Sequence, residues 1–253
     1  MSVILLKEIY DSVFSSYSGN SVQKEEAAQM ALVDEFIKLA PEARPLLDAV
    51  AESLNRYGKK LMFEVSSTMQ VTFTAFTQEY KKDITVTLKP QIAKDEMKSV
   101  FIHELGEVSY IACSLPDVID HNDYEGVRGR LIELFSHPHV LSLAQRHGLG
   151  DIELEMRKRR GQSWKDKDYI AEYHYGWHIT LMIAWAFITF PELIKEKENI
   201  IGYHEHRSTI DQIVAICQAT DTMSDKTIVE SAMTKVITIL NGIGLSNVVM
   251  EPR

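Results

Sequence analysis

Apolar residues recur at helical spacing along most of this chain and at strand spacing in one stretch near its middle. In EEAAQMALVDEFIKLA, the residues Met30, Val33, Phe36 and Ile37 share one helix face, which Asn20 or Ser21 can cap. Pro41 and Pro45 open a second helix, RPLLDAVAESLNRYG, and Gly58 is its natural stop. From Lys59 the texture changes. LMFEVSS, QVTFTAFTQEY and DITVTLKP are rich in Val, Thr, Ile and Phe with partial alternation, and they predict the strands of a small antiparallel sheet, the last ended by Pro90. Helical spacing returns in DEMKSVFIHELGEVSYIAC and closes before Leu115-Pro116. A polar loop, PDVIDHND, leads to a further helix, YEGVRGRLIELFSH, which Pro138 is expected to break or restart. VLSLAQRH then runs to Gly148. Helices are expected over 152–160, 168–190, 208–220 and 224–240, and the tail LSNVVMEPR reads as a strand or a loose end. The expected fold is α+β and mostly helical, with the small sheet directly before the helix that carries FIHELGEV. Divisions fall near Gly58 and Gly150, giving a helical region 1–58, a core 59–150 and a helical region 151–253 within one compact unit.

The helix after the sheet carries the candidate chemistry. Its FIHELGEVSYIA is an H-E-x-x-H pattern with glutamate in place of the second histidine. Residues four apart on a helix lie one above the other, so His103 and Glu107 can aim a nitrogen and an oxygen at one point. Both atoms are accepted zinc ligands. Glu104 lies about 100° round the helix, where it can serve as a general base without taking a ligand position. A second carboxylate makes the site harder in character, so zinc is the expected metal with Mn or Fe favoured more than in a two-histidine site. The same three residues also fit an ordinary helix with one surface histidine and two solvated acids.

The next helix offers a third ligand. Val127, Leu131, Leu134 and Phe135 form its apolar face, and Glu133 lies on another face with Gly126, Gly129 and Ser136. Glycine inside a helix costs about 1 kcal/mol against alanine, so close approach of a second helix is a reason to seek. The H-E-x-x-E helix has its own small residues at Gly106, Ser109 and Ala112. Glu125 and His137 are rivals to Glu133, with His121 and His139 further outside.

ITVTLKP, then VFIHELGEV, then a glutamate on the following helix resembles the core of zincin-like metallopeptidases of the gluzincin type. The resemblance covers about residues 60 to 140. It implies that His103, Glu107 and Glu133 bind the metal, that Glu104 is the general base, and that a Tyr or His further along stabilises an oxyanion, with Tyr203 and His204 in GYHEHRS as candidates. The pattern departs from that family at Glu107, and the longer metzincin pattern fails at Tyr110 and Cys113.

Composition narrows the picture further. The net charge of −9 argues against a broad nucleic-acid footprint. The basic run Arg157, Lys158, Arg159, Arg160 reads as a solvated helix end. Two cysteines, Cys113 and Cys217, make no disulfide framework, so a reducing, cytoplasmic setting is expected, with Cys113 buried and inert. Val3-Ile4-Leu5-Leu6 is too short for a signal peptide, and the apolar stretch from Ile179 to Phe190 is too short to span a membrane and reads as a core helix. AEYHYGWH places His174 and His178 four apart with Glu172 nearby, a second metal pair or a pair of core histidines packed on aromatics. The expected function is metal-dependent hydrolysis of a peptide amide, with a peptide or protein substrate aligned along the sheet edge before Pro90. Two other readings stand beside it: a zincin-like binding or sensing module without catalysis, and a helical structural protein without metal.

Overall fold

The computed structural model describes residues 3–66, 75–80, 83–121, 126–164, 176–196, 206–245 and 248–251. The fold is α+β and mostly helical. The chain divides into two compact units, and both are discontinuous in sequence: Met1–Cys113 with Leu143–Glu153, and Ser114–Ser142 with Leu154–Arg253.

The first unit opens with strand β1 (Val3–Leu5) and helices α1 (Leu6–Ser16), α2 (Ser21–Leu39) and α3 (Arg44–Arg56). Helix α2 starts as its sequence dictates. The Asn20 side chain accepts from the Gln23 N–H at 3.0 Å, and the Gln23 side chain accepts from the Asn20 N–H at 3.1 Å, a reciprocal capping box. Its buried stripe is Ala28, Leu32 and Phe36, a strict four-residue spacing. Met30 lies off that stripe and is 66% exposed, so the inward face differs from the one expected. Helix α3 ends before Gly58, whose φ of +64° lies where glycine is favoured.

Strands β2 (Lys60–Val65), β3 (Ala75–Tyr80) and β4 (Asp83–Leu88) form a three-stranded sheet in the order β2-β4-β3. The sheet is mixed. β3 and β4 are antiparallel, with Thr77 opposite Val86, and β2 runs parallel to β4, with Phe63 opposite Val86. The expected sheet edge before Pro90 is therefore the central strand, paired on both sides. The edges are β2 and β3. Gln29 of α2 closes the first: its side-chain oxygen accepts from the Phe63 N–H and its nitrogen donates to the Phe63 carbonyl, both at 2.6 Å. An amide placed there stands in for a neighbouring strand and blocks pairing at that edge.

Strand β5 (Gln91–Ala93) pairs antiparallel with β1 and leads directly into α4 (Lys94–Ala112). Asp95 and Glu96 in the first turn of α4 complement its dipole. Phe101 of α4 meets Phe36 at 4.9 Å between ring centres, and Phe36 meets Phe63 at 5.3 Å, tying helix α2, strand β2 and helix α4 into one aromatic core. Past its exposed first turn, helix α4 is buried on nearly every side, so the buried His103 and Glu104 need partners inside the protein.

The second unit holds β6 (Val118–Asp120), most of α5 (Val127–Arg146) and α6 (Gly150–Trp164), then α7 (Gly176–Thr189), α8 (Arg207–Ala219), α9 (Lys226–Asn241) and β7 (Val248–Met250). The tail is a strand: β7 pairs antiparallel with β6, which lies inside the stretch expected to be a loop. Asp117 anchors the pair, accepting from Arg128 at 2.5 Å while its carbonyl accepts from the Glu251 N–H. Helix α7 is buried almost throughout, as its apolar run implies, and among the described residues no helix is long and apolar enough to cross a membrane.

Pro138 neither breaks nor restarts α5, which runs through it as one helix. The carbonyl of the preceding residue, His137, accepts from the Arg157 guanidinium at 2.7 Å. Arg157 is 1% exposed, so it is not part of a solvated helix end; only Lys158, Arg159 and Arg160 face water. The period of α6 explains the split, because Glu153, Met156 and Arg157 share its buried stripe.

Replacing Asn20 with Ala removes one half of the capping box and is expected to destabilise the protein by about 1 kcal/mol, read as a lower denaturation midpoint in urea with an unchanged slope.

Candidate metal centre

On α4, His103 and Glu107 stand one helical turn apart, and His103 Nε2 lies 3.6 Å from Glu107 Oε1. The other ring nitrogen, Nδ1, meets Glu153 Oε1 at 2.9 Å. Glu153 is fully buried in the first turn of α6, where the positive end of the helix dipole favours a carboxylate. A carboxylate only accepts, so Nδ1 carries the proton of this bond. That assignment turns Nε2 toward Glu107 as a lone pair in the neutral ring. A carboxylate behind a histidine in this way fixes the ring and raises its basicity, the arrangement common to metal-binding histidines.

Burial by itself would push the His103 imidazole down. Glu153 and Glu107 outweigh it and hold the ring up at about 10. In the metal-free protein the imidazole is therefore charged near neutral pH and lies between two carboxylates. A divalent cation binds the same nitrogen only by displacing that proton.

Glu104 faces another direction. It is buried, and its Oε2 accepts from the Thr77 hydroxyl of β3 at 2.7 Å. Its side chain borders an apolar space among Phe36, Phe63, Val86, Leu88, Met97, Val100 and Phe101 that is too small for a water molecule. Beside it, Lys59 Nζ donates to the Ile111 carbonyl at 2.9 Å and pairs with Glu79 of β3 at 2.8 Å.

The remaining candidates lie on α5 or beyond. Glu133 is half-buried and paired with Arg130 at 2.6 Å, and the Arg130 guanidinium stacks 3.8 Å over the Trp185 ring. The glycine argument for Glu133 does not hold: among the described residues, a methyl group added at Gly126 or Gly129 meets nothing within 4 Å. His137 is buried, with Nδ1 2.8 Å from the Thr189 hydroxyl. His139 is buried with Nδ1 3.0 Å from the Thr222 carbonyl, and His121 is exposed. His103 and Glu107, one turn apart on α4, offer two of the ligand atoms that a metal ion could use. Glu125, Glu172, His174, Tyr203 and His204 lie outside the described residues. His178 is half-buried beside Trp177, their ring centres 3.7 Å apart. Cys113 and Cys217 are both free thiols. Cys217 is buried and pushed up to about 12, while Cys113 is half-buried with its sulfur 3.5 Å from the Ser53 hydroxyl.

Glu153 is the residue that sequence reasoning missed. Its signal was an acid at a buried position of the α6 period, among Leu149, Met156 and Arg157. Comparison with protein-family models, with curated proteins and with solved structures finds no match.

The raised His103 value sets a pH dependence. A group whose folded value lies above its ordinary 6.5 contributes stability in full below 6.5 and loses it as pH rises through about 10. The metal-free protein is expected to lose stability from this source between those limits. Urea melts of wild type and His103→Gln across that window should converge toward high pH; parallel curves would remove the charged imidazole from the picture.

Proposed function

We propose that this chain is a metal-dependent hydrolase acting on an amide bond, most readily in a peptide, with His103 and Glu107 as two of the metal ligands. One observation carries the reading: Glu153 holds Nδ1 of a buried histidine so that Nε2 faces a glutamate one turn along the same helix. The donor set suits a divalent cation, and α4 supplies it in the spacing that metal-binding helices use. A cation there would supply an acidified water and polarise a carbonyl.

A set built on one histidine and one carboxylate accommodates zinc, with Mn or Fe favoured more than at a two-histidine site. Glu104, the next residue on α4, is the proposed proton acceptor, and Glu107 and Glu153 keep the His103 ring in place. Among the described residues β3 is the other edge of the sheet, and we propose that an extended peptide adds there as a strand, since Gln29 occupies the edge at β2. The burial of Glu104 against apolar side chains favours a second reading, a zincin-like module that binds metal and a partner without turnover.

Elemental analysis of protein purified without a metal-affinity tag tests the site. About one equivalent of divalent metal is expected, lost in His103→Ala with the fold retained by circular dichroism. Glu153→Gln is expected to weaken the metal by about 10- to 100-fold. Equal metal content in wild type and His103→Ala would end the proposal. Glu104→Gln decides between the two readings, because it should keep the metal and abolish cleavage of a quenched-fluorophore peptide library if the protein is an enzyme. A library left intact by the wild-type metal form favours the binding module.

A further inference from the structure

We propose that a cavity between helices α1 and α2 and the β2 edge of the sheet binds an organic cation, an ammonium or guanidinium group at the end of an aliphatic stem. The cavity measures about 390 Å³, a size common among small-molecule sites, and the residues lining it all belong to the first unit. Among the described residues three carboxylates line it, each from a different element: Glu25 of α2, Glu64 of β2 and Asp83 of β4. The cation beside them, Lys7 of α1, is already held by both oxygens of Asp11, at 2.8 and 2.7 Å. The cavity therefore keeps an excess of negative charge, in a chain whose net charge is −9. The strand register sets Lys60 opposite Asp83 and Met62 opposite Thr85, so Met62, Glu64, Asp83 and Thr85 share one face of the sheet. A thioether among acids suits a hydrocarbon stem that carries its charge at one end.

Surface acids commonly hold nothing but water, and two features of the inner wall set this cavity apart. The first is the fixed carboxylate of Glu25. The Tyr10 hydroxyl donates to its Oε2, and the Gln29 amide donates to its Oε1 at 2.9 Å. Burial, and then Glu25 itself, push the Tyr10 phenol above its ordinary range, so it remains the donor. Each carboxylate oxygen still has a second lone pair for a ligand. The second feature is the main chain. The Gln29 amide closes the edge of β2 at Phe63. By alternation the next main-chain N–H and C=O on that edge belong to Val65, which also lines the cavity. A backbone donor and acceptor thus stand beside the carboxylates and can receive an amide carried next to the cation. A cation, a stem and an adjacent amide together make a lysine or arginine residue of a peptide; the same cation without the amide is a free amine or guanidine.

Calorimetric titration of the full chain tests the site with three probes: butylguanidinium, its neutral counterpart butylurea, and acetyl-arginine methylamide. Butylguanidinium is expected to bind saturably and butylurea not to bind. Glu64→Gln combined with Asp83→Asn should weaken the cation by about tenfold, and both positions lie outside the Tyr10–Glu25–Gln29 network. Glu26→Gln combined with Asp34→Asn removes two exposed charges of α2 that do not line the cavity, and should bind as wild type does. If the Glu64 and Asp83 variant does not fold, Met62→Lys carries the same comparison, because it places an ammonium in the cavity from within. Acetyl-arginine methylamide distinguishes the two sources of the cation. Binding about tenfold tighter than butylguanidinium assigns the site to a basic residue of a peptide held at Val65, and equal binding assigns it to a free small cation. The proposal is overturned if neither cation saturates, if butylurea binds as well as butylguanidinium, or if the two double variants weaken binding equally.

Discussion

A charged imidazole buried between two carboxylates is the constraint on which the first unit depends. His103 is almost out of water, and desolvation alone would discharge it. It stays charged because Glu153 lies 2.9 Å from one nitrogen and Glu107 3.6 Å from the other. Breaking such an arrangement by removing one partner typically costs about 3–5 kcal/mol, because a buried charge is left without compensation. Keeping it is not a cheap route to stability either, since apolar residues of similar size often do as well or better. A chain that places His103, Glu104 and Glu107 within five residues of a largely buried helix is holding a constellation that packing alone does not explain. Metal binding would give it a reason, since the geometry that retains a proton at Nε2 could also hold a cation there.

The rest of the first unit packs tightly around that helix. The Phe36, Phe63 and Phe101 cluster fixes α4 against α2 and β2, and the paired central strand β4 presents Ile84, Val86 and Leu88 to the core. Side chains that must hold a ligand within a few tenths of an ångström are best mounted on such packed elements. The treatment of the two sheet edges differs in a way that hydrophobic packing does not require. At β2 the main-chain groups of Phe63 are consumed by Gln29, while β3, the strand tied to α4 through Thr77 and Lys59, is the other edge of the sheet.

The helices and strands were legible because their signals are local. The capping box at Asn20, the stop at Gly58, the apolar run of α7 and the β-branched strands each speak through neighbours a few residues away. His103, Glu104 and Glu107 were legible for the same reason, since a four-residue spacing places them without knowledge of anything else. What the sequence concealed was long-range. Glu153 lies 50 positions from His103, and β7 pairs with β6 across about half the chain. The parallel pairing of β2 with β4 follows from strand order, which alternation does not encode. Arg157 was misjudged because a run of four basic residues looks solvated, yet helical period turns one of them inward, to the His137 carbonyl. Whether a charged residue is buried is decided by its partners and not by its own preference.

The position of Glu104 is where stability and chemistry pull apart. A base must reach a proton, and a carboxylate set against packed phenyl rings is shielded from water. Shielding is useful in itself: electrostatic interactions strengthen in a dry site, and a base surrounded by apolar groups is not diluted by solvent. Adjacent residues on a helix diverge by about 100°, and the bond from Thr77 holds the Glu104 carboxylate on the side of the sheet and not beside His103. Any proton transfer at the His103 ring would require that carboxylate to leave Thr77, and the dry packing around it makes that turn costly.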